Sequence, residues 1–365
     1  MKNRYLAKNY GLPGATPRSQ SRLTGLLRGI LGNPIGHFLL FGALMILLGY
    51  FSANKMFNIP YSVQSSLAST FAFAIASVGF CLLMGYSGLA SLGIGGFIAI
   101  GCYSVYYIMN EADMSFWMAL AAAMAVGIVI GLIVGFISLR IEGIYLVILT
   151  LGLSEILRNL FIALEDSITM GNWELFGLKI TRSNTIYVAV SFLVIVMIIT
   201  HNLINSPTGR AMLAMKNSTA ASQAMGISLL KYRLLAFVIC SIYSVLAGML
   251  LMLGVRSAIA SNGSGFYALI TSLNILAAVI IGGYRSIWGA VFGTFVMYGM
   301  QSTLLSRIDF LQQNPEIITF IAGILVILVV MFYPAGLAQL AREAVTALKK
   351  KAKQWKEGIY GKDLG

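Results

Sequence analysis

The sequence predicts an all-α protein, a polytopic transmembrane helix bundle with about ten spans. Of its 365 residues, 58% are hydrophobic and only 10% are charged, whereas soluble domains carry about 25% charged residues. Apolar runs of about 18 or more residues recur along the chain, which is the length that a helix needs to cross a bilayer. The basic residues are concentrated in a few segments between or beyond these runs, as in the cytoplasmic segments of membrane proteins.

The predicted spans alternate with polar breaks. They cover residues 35–53, 62–84, 89–109, 115–138, 141–163, 185–204, 232–254, 268–283, 287–304 and 316–334. Removing one pair of spans would leave both chain ends on the same side of the membrane, so about eight spans is the alternative count.

Three segments carry an excess of basic residues: 1–34, 205–233 and 335–365. Because segments rich in Lys and Arg stay in the cytoplasm, both termini and the middle loop are predicted to be cytoplasmic. The chain therefore divides into a basic N-terminal segment at 1–34, a transmembrane domain at 35–334 and a basic tail at 335–365. This charge can meet anionic membrane lipid, and we expect no binding of nucleic acid.

Glycine is dense between the second and third predicted spans, where the sequence reads 85-GYSGLASLGIGGF-97. Such a run permits a broken helix beside a substrate cavity, or simply a tight turn between two helices. Both interpretations stay open at this point. The candidate site residues here are Gly85, Gly88, Ser91, Gly93, Gly95 and Gly96.

The fourth predicted span repeats glycine at every fourth position, at Gly127, Gly131 and Gly135. Residues at this spacing share one helix face, and small residues let neighbouring helices approach closely. We therefore predict that this face packs against another helix.

Three polar residues within the predicted spans are further candidates. Glu155 and Arg158 are three residues apart on one helix face, where they can neutralise each other. Ionisable residues in a span are functional candidates, although an internal ion pair near a helix end is the structural alternative. Asn274 in the eighth span either binds a polar substrate or bridges two helices, and bridging is favoured.

The sequence offers no motif for catalysis. No G-x-x-x-x-G-K-[ST] loop, paired carboxylates or nucleophile and base at suitable spacing occur, and neither His37 nor His201 has a second ligand at metal spacing. We therefore predict a protein that is not an enzyme and uses no cofactor and no metal, so that any ATP is hydrolysed by another chain.

The loop at 205–233 is the longest predicted internal connection. Its Ala, Met, Leu and Gln favour short helices, interrupted at Gly226. A cationic helix followed by glycine suits docking against a partner, or it can lie on the membrane surface.

Several segments, in order, resemble the membrane permease subunits of branched-chain amino acid ABC transporters. These segments are 85-GYSGLASLGIGGFIAIGCY-103, 143-GIYLVILTLGLSEILRNL-160, 209-GRAMLAMKNSTAASQAMGISLLKYRLLAFVICSIYSVLAG-248, 282-GGYRSIWGAVFGT-294 and 332-FYPAGL-337. The resemblance extends over residues 60–340 and leaves the N-terminal segment and the tail unmatched.

The resemblance implies a permease subunit of an ABC importer, a multi-pass protein of the bacterial cytoplasmic (inner) membrane. The partners it implies are a second homologous permease subunit, two ATP-binding subunits and an extracytoplasmic substrate-binding protein. By similarity, the 209–226 segment would engage the ATP-binding subunits, and the 282–294 match adds Gly282 and Gly283 to the candidate pathway or helix-break residues. The recurring positions of the coupling segment are Arg210, Ala220, Ala221 and Gly226.

Substrate and driving force are less closely defined. The chain has Ile94 where relatives commonly carry histidine, Arg285 where they carry glycine, and Thr219 where an acidic residue often precedes the paired alanines. Branched-chain or other amino acids are the expected substrates, with urea or amides as alternatives within the wider group. An ion- or proton-driven secondary transporter or channel is the alternative function, although the spans lack the chain of Asp, Glu or His typical of proton relays.

Overall fold

The computed structural model is mostly helical and describes residues 34–53, 61–138, 143–171, 173–175, 178–180, 184–261, 265, 267–299, 315–332, 336–338 and 343. The chain divides into two compact units, residues 1–41 and 42–365. Most of the predicted N-terminal segment 1–34 and of the tail 335–365 lies outside the described residues. The features below belong to the second unit, apart from the start of the first helix.

Each predicted span overlaps a helix among the described residues. The first five are α1 (Pro34–Ala53), α2 (Tyr61–Leu82), α3 (Ile94–Tyr106), α4 (Phe116–Ser138) and α5 (Ile144–Leu164). They are followed by α6 (Thr185–Asn205), two short helices α7 (Pro207–Asn217) and α8 (Thr219–Ala224), and the long α9 (Leu229–Val255). The remaining helices are α10 (Leu269–Gly282), α11 (Ile287–Thr294) and α12 (Pro315–Phe332).

Three of these helices continue into a π-helical turn: α2 at Leu83–Ser87, α3 at Tyr107–Glu111 and α11 at Phe295–Gly299. In the part of the chain that the structure describes, five helices are long and apolar enough to cross a membrane: 63–87, 116–137, 144–164, 185–205 and 229–255. The structure therefore confirms a mostly helical protein with several apolar candidate spans.

The core is organised around α9, which packs against α2, α3 and α4. At the crossing of α3 and α9, a Cβ added to Gly101 would overlap the backbone of Val245, and one added to Gly248 would overlap the backbone of Ile98. The Cys102 thiol donates a hydrogen bond to the Gly248 carbonyl at 3.1 Å. Glycine on both helices thus allows the two backbones to touch.

The predicted packing role of the glycine face of α4 is confirmed. Added Cβ atoms on Gly127, Gly131 and Gly135 would each meet a side chain of α9, those of Val245, Ser241 and Leu234. The opposite side of α4 exposes large apolar residues, including Val129 at 55% and Ile133 at 56%. The small residues of α4 thus form the face that packs within the chain, and its large apolar residues form the exposed face.

Short strands lie at one end of the bundle. They are β1 (Ser167–Thr169), β2 (Trp173–Leu175), β3 (Leu178–Ile180) and β4 (Ser257–Ile259). β1 pairs antiparallel with β4, with Ile168 opposite Ala258, and β2 pairs antiparallel with β3. We call this the strand end and the opposite end, which bears α7 and α8, the loop end. α9 runs between them and, with 27 residues, spans about 40 Å.

Candidate coupling and translocation site

The predicted interruption of the 205–233 loop is confirmed by its local structure. The Ser206 hydroxyl accepts a hydrogen bond from the Gly209 amide and Pro207 opens α7, which is a favourable start for a helix. Ser218 is extended, ends α7 and caps α8 by accepting from the Ala221 amide at 3.3 Å. Gly226 has a φ of +78°, and the Ile227 amide donates to the Ser222 carbonyl at 2.9 Å. A left-handed glycine therefore ends α8, as is common at helix C-termini.

The two short helices have different inner and outer faces. Met212 and Met215 are fully buried and Ser222 is 3% exposed, so these residues hold the loop against the bundle. The predicted coupling residues lie on the other face. Arg210, Ala220, Ala221 and Gly226 are all exposed, and Met225 is 78% exposed.

An open pocket of about 520 Å³ lies beside these exposed residues. Its lining includes Gln223, Gly226, Leu230 and Arg233, and Leu230 is itself 51% exposed. The pocket at the loop end is thus lined by apolar and polar groups together, including the cationic Arg233, and it lies next to a helix that exposes Ala220 and Ala221.

The glycine-rich segment leaves the helical conformation between α2 and α3. Gly88 has a φ of +75° and ends the π turn of α2, and α3 begins only at Ile94. The predicted third span begins at residue 89, five residues earlier, because 89-LASLG-93 is too apolar to be distinguished from helix by hydropathy. The structure shows a non-helical connection of residues 88–93 here, and its place beside a substrate cavity stays a prediction.

Side chains from α5 and α10 satisfy the amides of this broken segment. The Leu92 amide donates to the Thr150 hydroxyl at 3.0 Å, and the Gly95 amide donates to the Ser272 hydroxyl at 2.9 Å. Ser91 is 3% exposed and accepts from the Gly93 amide at 3.2 Å. Within a membrane, irregular backbone is stable only where protein groups form hydrogen bonds with it.

Close approaches surround the glycines of this segment. An added Cβ on Gly93 would lie 3.2 Å from the Thr150 carbonyl oxygen, and one on Gly96 would lie 3.0 Å from the Ser154 Cα. An added Cβ on Gly95 would lie 3.0 Å from the Tyr267 carbonyl oxygen. The start of α3 is therefore wedged between α5 and the beginning of α10.

Gly282 and Gly283 lie at the turn between α10 and α11. An added Cβ on Gly282 would overlap the backbone of Gly289, so the two helices form a tight hairpin there. Gly283 has a φ of +107° and ends α10. The Tyr298 hydroxyl donates to the Thr271 carbonyl of α10 at 3.3 Å, three residues before Asn274, whose bridging role stays a prediction.

Glu155 and Arg158 form the predicted ion pair, at 3.1 Å. Arg158 also donates to the carbonyls of Ala260 at 3.0 Å and Ser261 at 3.2 Å. The backbone amide and hydroxyl of Ser261 in turn donate to the two oxygens of Asp166, at 2.7 and 2.8 Å. This network ties the end of α5 to the segment after β4, far from the loop end.

Sequence reasoning missed the role of Lys216, which it treated only as part of the loop charge. The Lys216 ammonium donates to the carbonyls of Met84 at 3.0 Å and Gly85 at 2.9 Å. A lysine in the last turn of a short cationic helix is an ordinary sequence feature, so its partners 131 and 132 residues away could not be read from it.

The fold and this site define a class: a polytopic membrane protein with an exposed helical loop at one end and, beside it, a partly buried irregular segment between two helices. In the described residues no group of three or more His, Cys, Asp or Glu could hold a metal ion.

Comparisons with known proteins give the family. The family described as branched-chain amino acid transport system / permease component matches residues 62–330. The high-affinity branched-chain amino acid transport system permease protein LivM of Escherichia coli K12 is 27% identical over 348 residues, which cover 87% of this chain and 78% of that protein. LivM of Salmonella typhimurium is 27% identical over 315 residues, covering 78% and 72% of the two chains.

A more distant relative is the L-arabinose transport system permease protein AraH of Escherichia coli K12, 25% identical over 308 residues that cover 83% of this chain and 91% of that protein. No solved structure matches the chain. Because the family match covers well over half of the sequence, the chain belongs to the family of permease components of branched-chain amino acid transport systems.

The protein is therefore the permease subunit of an ABC importer and a multi-pass protein of the bacterial cytoplasmic membrane. As a membrane component it has no catalytic activity of its own, and it works with ATPase and substrate-binding partners.

Proposed function

We propose that the chain forms half of the membrane pathway of an importer for branched-chain or other amino acids. Its partners are a second homologous permease subunit, two ATP-binding subunits and an extracytoplasmic substrate-binding protein. The ATP-binding subunits dock on the outward face of α7 and α8, through Arg210, Ala220, Ala221 and Gly226. When they close on ATP, they push this face and shift the bundle between states that open to opposite sides of the membrane.

The observation that carries this proposal is the two-faced loop at 205–233. Its inner face is fixed by the buried Met212 and Met215, whereas its outer face presents Ala220 and Ala221 beside an open pocket. A partner helix or loop can approach closely only where side chains are small, so Ala220 and Ala221 mark the place of contact.

The topology that we propose has ten crossings with both termini in the cytoplasm. The loop end carries Arg210, Lys216, Lys231 and Arg233, and the acids Glu111, Glu165, Asp166 and Glu174 lie toward the strand end. Gly336, after α12, approaches Gly283 at the loop end. Gly42 and Gly49 of α1 approach Val194 and Tyr187 of α6, so this part of α1 runs antiparallel to α6. The last two features favour both chain ends at the loop end and so an even number of crossings, and the charges favour the cytoplasmic side for that end.

The domain division follows from this topology. The basic segments 1–34 and 335–365 lie on the cytoplasmic side, where they can meet anionic lipid. The permease domain at 35–334 contains the pathway, with the coupling loop at 205–233.

We assign the pathway to the broken segment and its surroundings. The backbone between α2 and α3 is irregular, partly buried and flanked by α5 and α10, as in transporters that bind substrate at a discontinuous helix. Glu155 and Arg158 lie toward the strand end, where Arg158 holds the segment after β4. The residues assigned to the pathway or to its helix breaks are Gly85, Gly88, Ser91, Gly93, Gly95, Gly96, Asn274, Gly282 and Gly283.

The substrate class rests on the relatives. LivM is named for branched-chain amino acids and AraH for L-arabinose, and LivM is the more similar of the two. We therefore expect the intact importer, with its binding protein, to take up labelled leucine. Unlabelled isoleucine should compete with this uptake, and arabinose should not.

The test of coupling uses Ala221→Trp in the complete importer, reconstituted in liposomes with ATP inside. Ala221 is exposed, so the added indole does not disturb the core of the chain. It would hold the ATP-binding subunits away from α8, and we expect ATP-dependent uptake to fall by about a hundredfold, the loss typical of a disrupted interface hot spot.

The matched control is Ala121→Trp, which adds the same side chain to an exposed position on α4. It should insert normally and retain uptake within about twofold. Unchanged uptake by Ala221→Trp would contradict the proposed function. So would uptake by the chain alone, driven by an ion gradient without nucleotide.

A further inference from the structure

The last turn of α7 is attached to the end of α2 through Lys216. Its ammonium donates to the Met84 and Gly85 carbonyls, which belong to the π turn where α2 ends. Carbonyls at a helix C-terminus have no partner within the helix and carry partial negative charge, so they attract a cation. The stem of Lys216 lies over Gly88, 3.2 Å from the position that a Cβ would take.

The same ammonium reaches a third segment. It lies 4.4 Å from the centroid of the Tyr284 ring, in the turn between α10 and α11. An ammonium at this distance from an aromatic face is attracted by the ring quadrupole. One side chain of the coupling loop therefore touches the ends of both α2 and α10.

These two helix ends are also joined directly to each other. An added Cβ on Gly85 would overlap the Tyr284 carbonyl, and the Tyr86 hydroxyl donates to the Arg285 carbonyl at 3.2 Å. The Cys81 thiol donates to the Tyr284 carbonyl at 3.3 Å. Because they share these contacts, a displacement of one end carries the other with it.

The joined ends lead directly into the broken backbone. Residues 88–93 follow the π turn of α2, and the start of α3 is held by Thr150 of α5 and Ser272 of α10. A shift of Gly85 and Gly88 therefore changes the position of the irregular segment relative to α5 and α10.

We propose that Lys216 is the positioning residue that transmits movement of the coupling loop to the ends of α2 and α10, and so to the broken segment. This inference rests on the proposed function, since it takes the loop to be the part that the ATP-binding subunits move. The plain alternative is that Lys216 only anchors α7 to the bundle.

The test compares three variants of the permease in the reconstituted importer. Lys216→Met keeps an unbranched side chain and removes the ammonium. Lys216→Arg keeps the charge, and its guanidinium can still donate to two carbonyls and lie over the Tyr284 ring. Lys231→Met removes an exposed cation of the same loop, which contacts the neighbouring Tyr232 ring at 5.9 Å.

Two ratios are measured: substrate imported per ATP hydrolysed, and stimulation of ATP hydrolysis by the loaded binding protein. We expect Lys216→Met to assemble with its partners and to hydrolyse ATP at the basal rate, with both ratios reduced about tenfold, since bonds to a charged donor are lost. Lys216→Arg should recover most of each ratio, and Lys231→Met should match the wild type.

Two results would overturn the inference. If Lys216→Met retains both ratios, the contact transmits nothing. If it loses its ATP-binding subunits on purification, Lys216 is only an anchor. Either result leaves the proposed function intact. The proposed function fails separately if the wild-type importer shows no ATP-driven uptake, or if Ala221→Trp leaves uptake unchanged.

Discussion

The two ends of the bundle are held together by different kinds of contact. At the strand end, Arg158 donates to Glu155 and to two backbone carbonyls, and Asp166 accepts twice from Ser261. At the loop end, α7 rests on two buried methionines and on the single ammonium of Lys216. Networks of charged hydrogen bonds fix one geometry, whereas a small number of directional contacts can be remade in a second one. The strand end is thus suited to remain fixed while the loop end moves.

Removing Arg158 should have the largest effect, and this effect should be on stability alone. Arg158→Leu leaves the Glu155 carboxylate and the Ala260 carbonyl without their donor, and we expect a loss of about 2 kcal/mol in the free energy of unfolding. Thermal unfolding of the solubilised permease measures this loss. Glu155→Gln, which keeps an acceptor, should cost clearly less.

The same variant tests whether the strand end takes part in transport. In complexes that do assemble, Arg158→Leu should import as much substrate per ATP as the wild type. A lowered ratio with normal stability would mean that the strand end takes part in transmission, and the division between the ends would be wrong.

Gly85→Ala should have the next largest effect, and this one should be on transport. The new methyl group would overlap the Tyr284 carbonyl and force α2 and the α10–α11 turn apart. We expect uptake per ATP to fall by about tenfold, as for an overpacked contact that costs 1–3 kcal/mol. The measurement is the same pair of ratios used for Lys216.

Gly152→Ala is the matched control for this substitution. An added Cβ there meets nothing within 4 Å, and alanine favours helix over glycine by about 1 kcal/mol. This variant should be at least as stable as the wild type and should transport normally. Equal losses in the two alanine variants would contradict the role given to the Gly85 contact.

Tyr284→Leu should have a smaller effect. It removes the ring face below the Lys216 ammonium but keeps both carbonyl acceptors, so the loss is that of one cation–π contact, about 0.5–1 kcal/mol. We expect the import ratio to fall by about threefold. In the Lys216→Met background the same substitution should add little, because its partner is already absent.

The smallest predicted effect is on pH dependence. Partial burial, with a further contribution from the charge of Arg285, lowers the pKa of Lys216, and an interaction with Cys81 opposes this shift. A lowered pKa means that the ammonium loses its proton at a lower pH than an ordinary lysine does. The import ratio should therefore decline as pH rises, and Lys216→Arg should move that decline to higher pH because arginine stays charged. Identical profiles for the two proteins would contradict this origin.

The sequence predicted those features that depend on local pattern. Apolar runs defined the helices, the four-residue repeat of Gly127, Gly131 and Gly135 gave the face that meets α9, and Gly226 gave the end of α8. These succeed because hydrophobic length, helix periodicity and left-handed glycine act within a few residues.

The sequence could not predict contacts between distant segments. β1 and β4 are three residues each and pair across 90 positions, without an alternating pattern long enough to reveal a strand. The carbonyl partners of Lys216 and Arg158 are backbone atoms, which every residue carries, so no residue type marks them. The conformation of 88–93 depends on hydrogen bonds to Thr150 and Ser272, which are also distant in sequence, so two interpretations of this run stayed open.

Hydrogen exchange of the backbone amides in the intact importer tests whether movement of the coupling loop reaches residues 84–93 through Lys216. Exchange is measured in lipid nanodiscs with nucleotide absent and with ATP trapped, for the wild type and for Lys216→Met. Trapping ATP should change exchange at residues 84–93 and not at β1 and β4, and Lys216→Met should abolish the change at 84–93. An equal change at both ends, or a change at 84–93 that survives in Lys216→Met, would contradict transmission through Lys216.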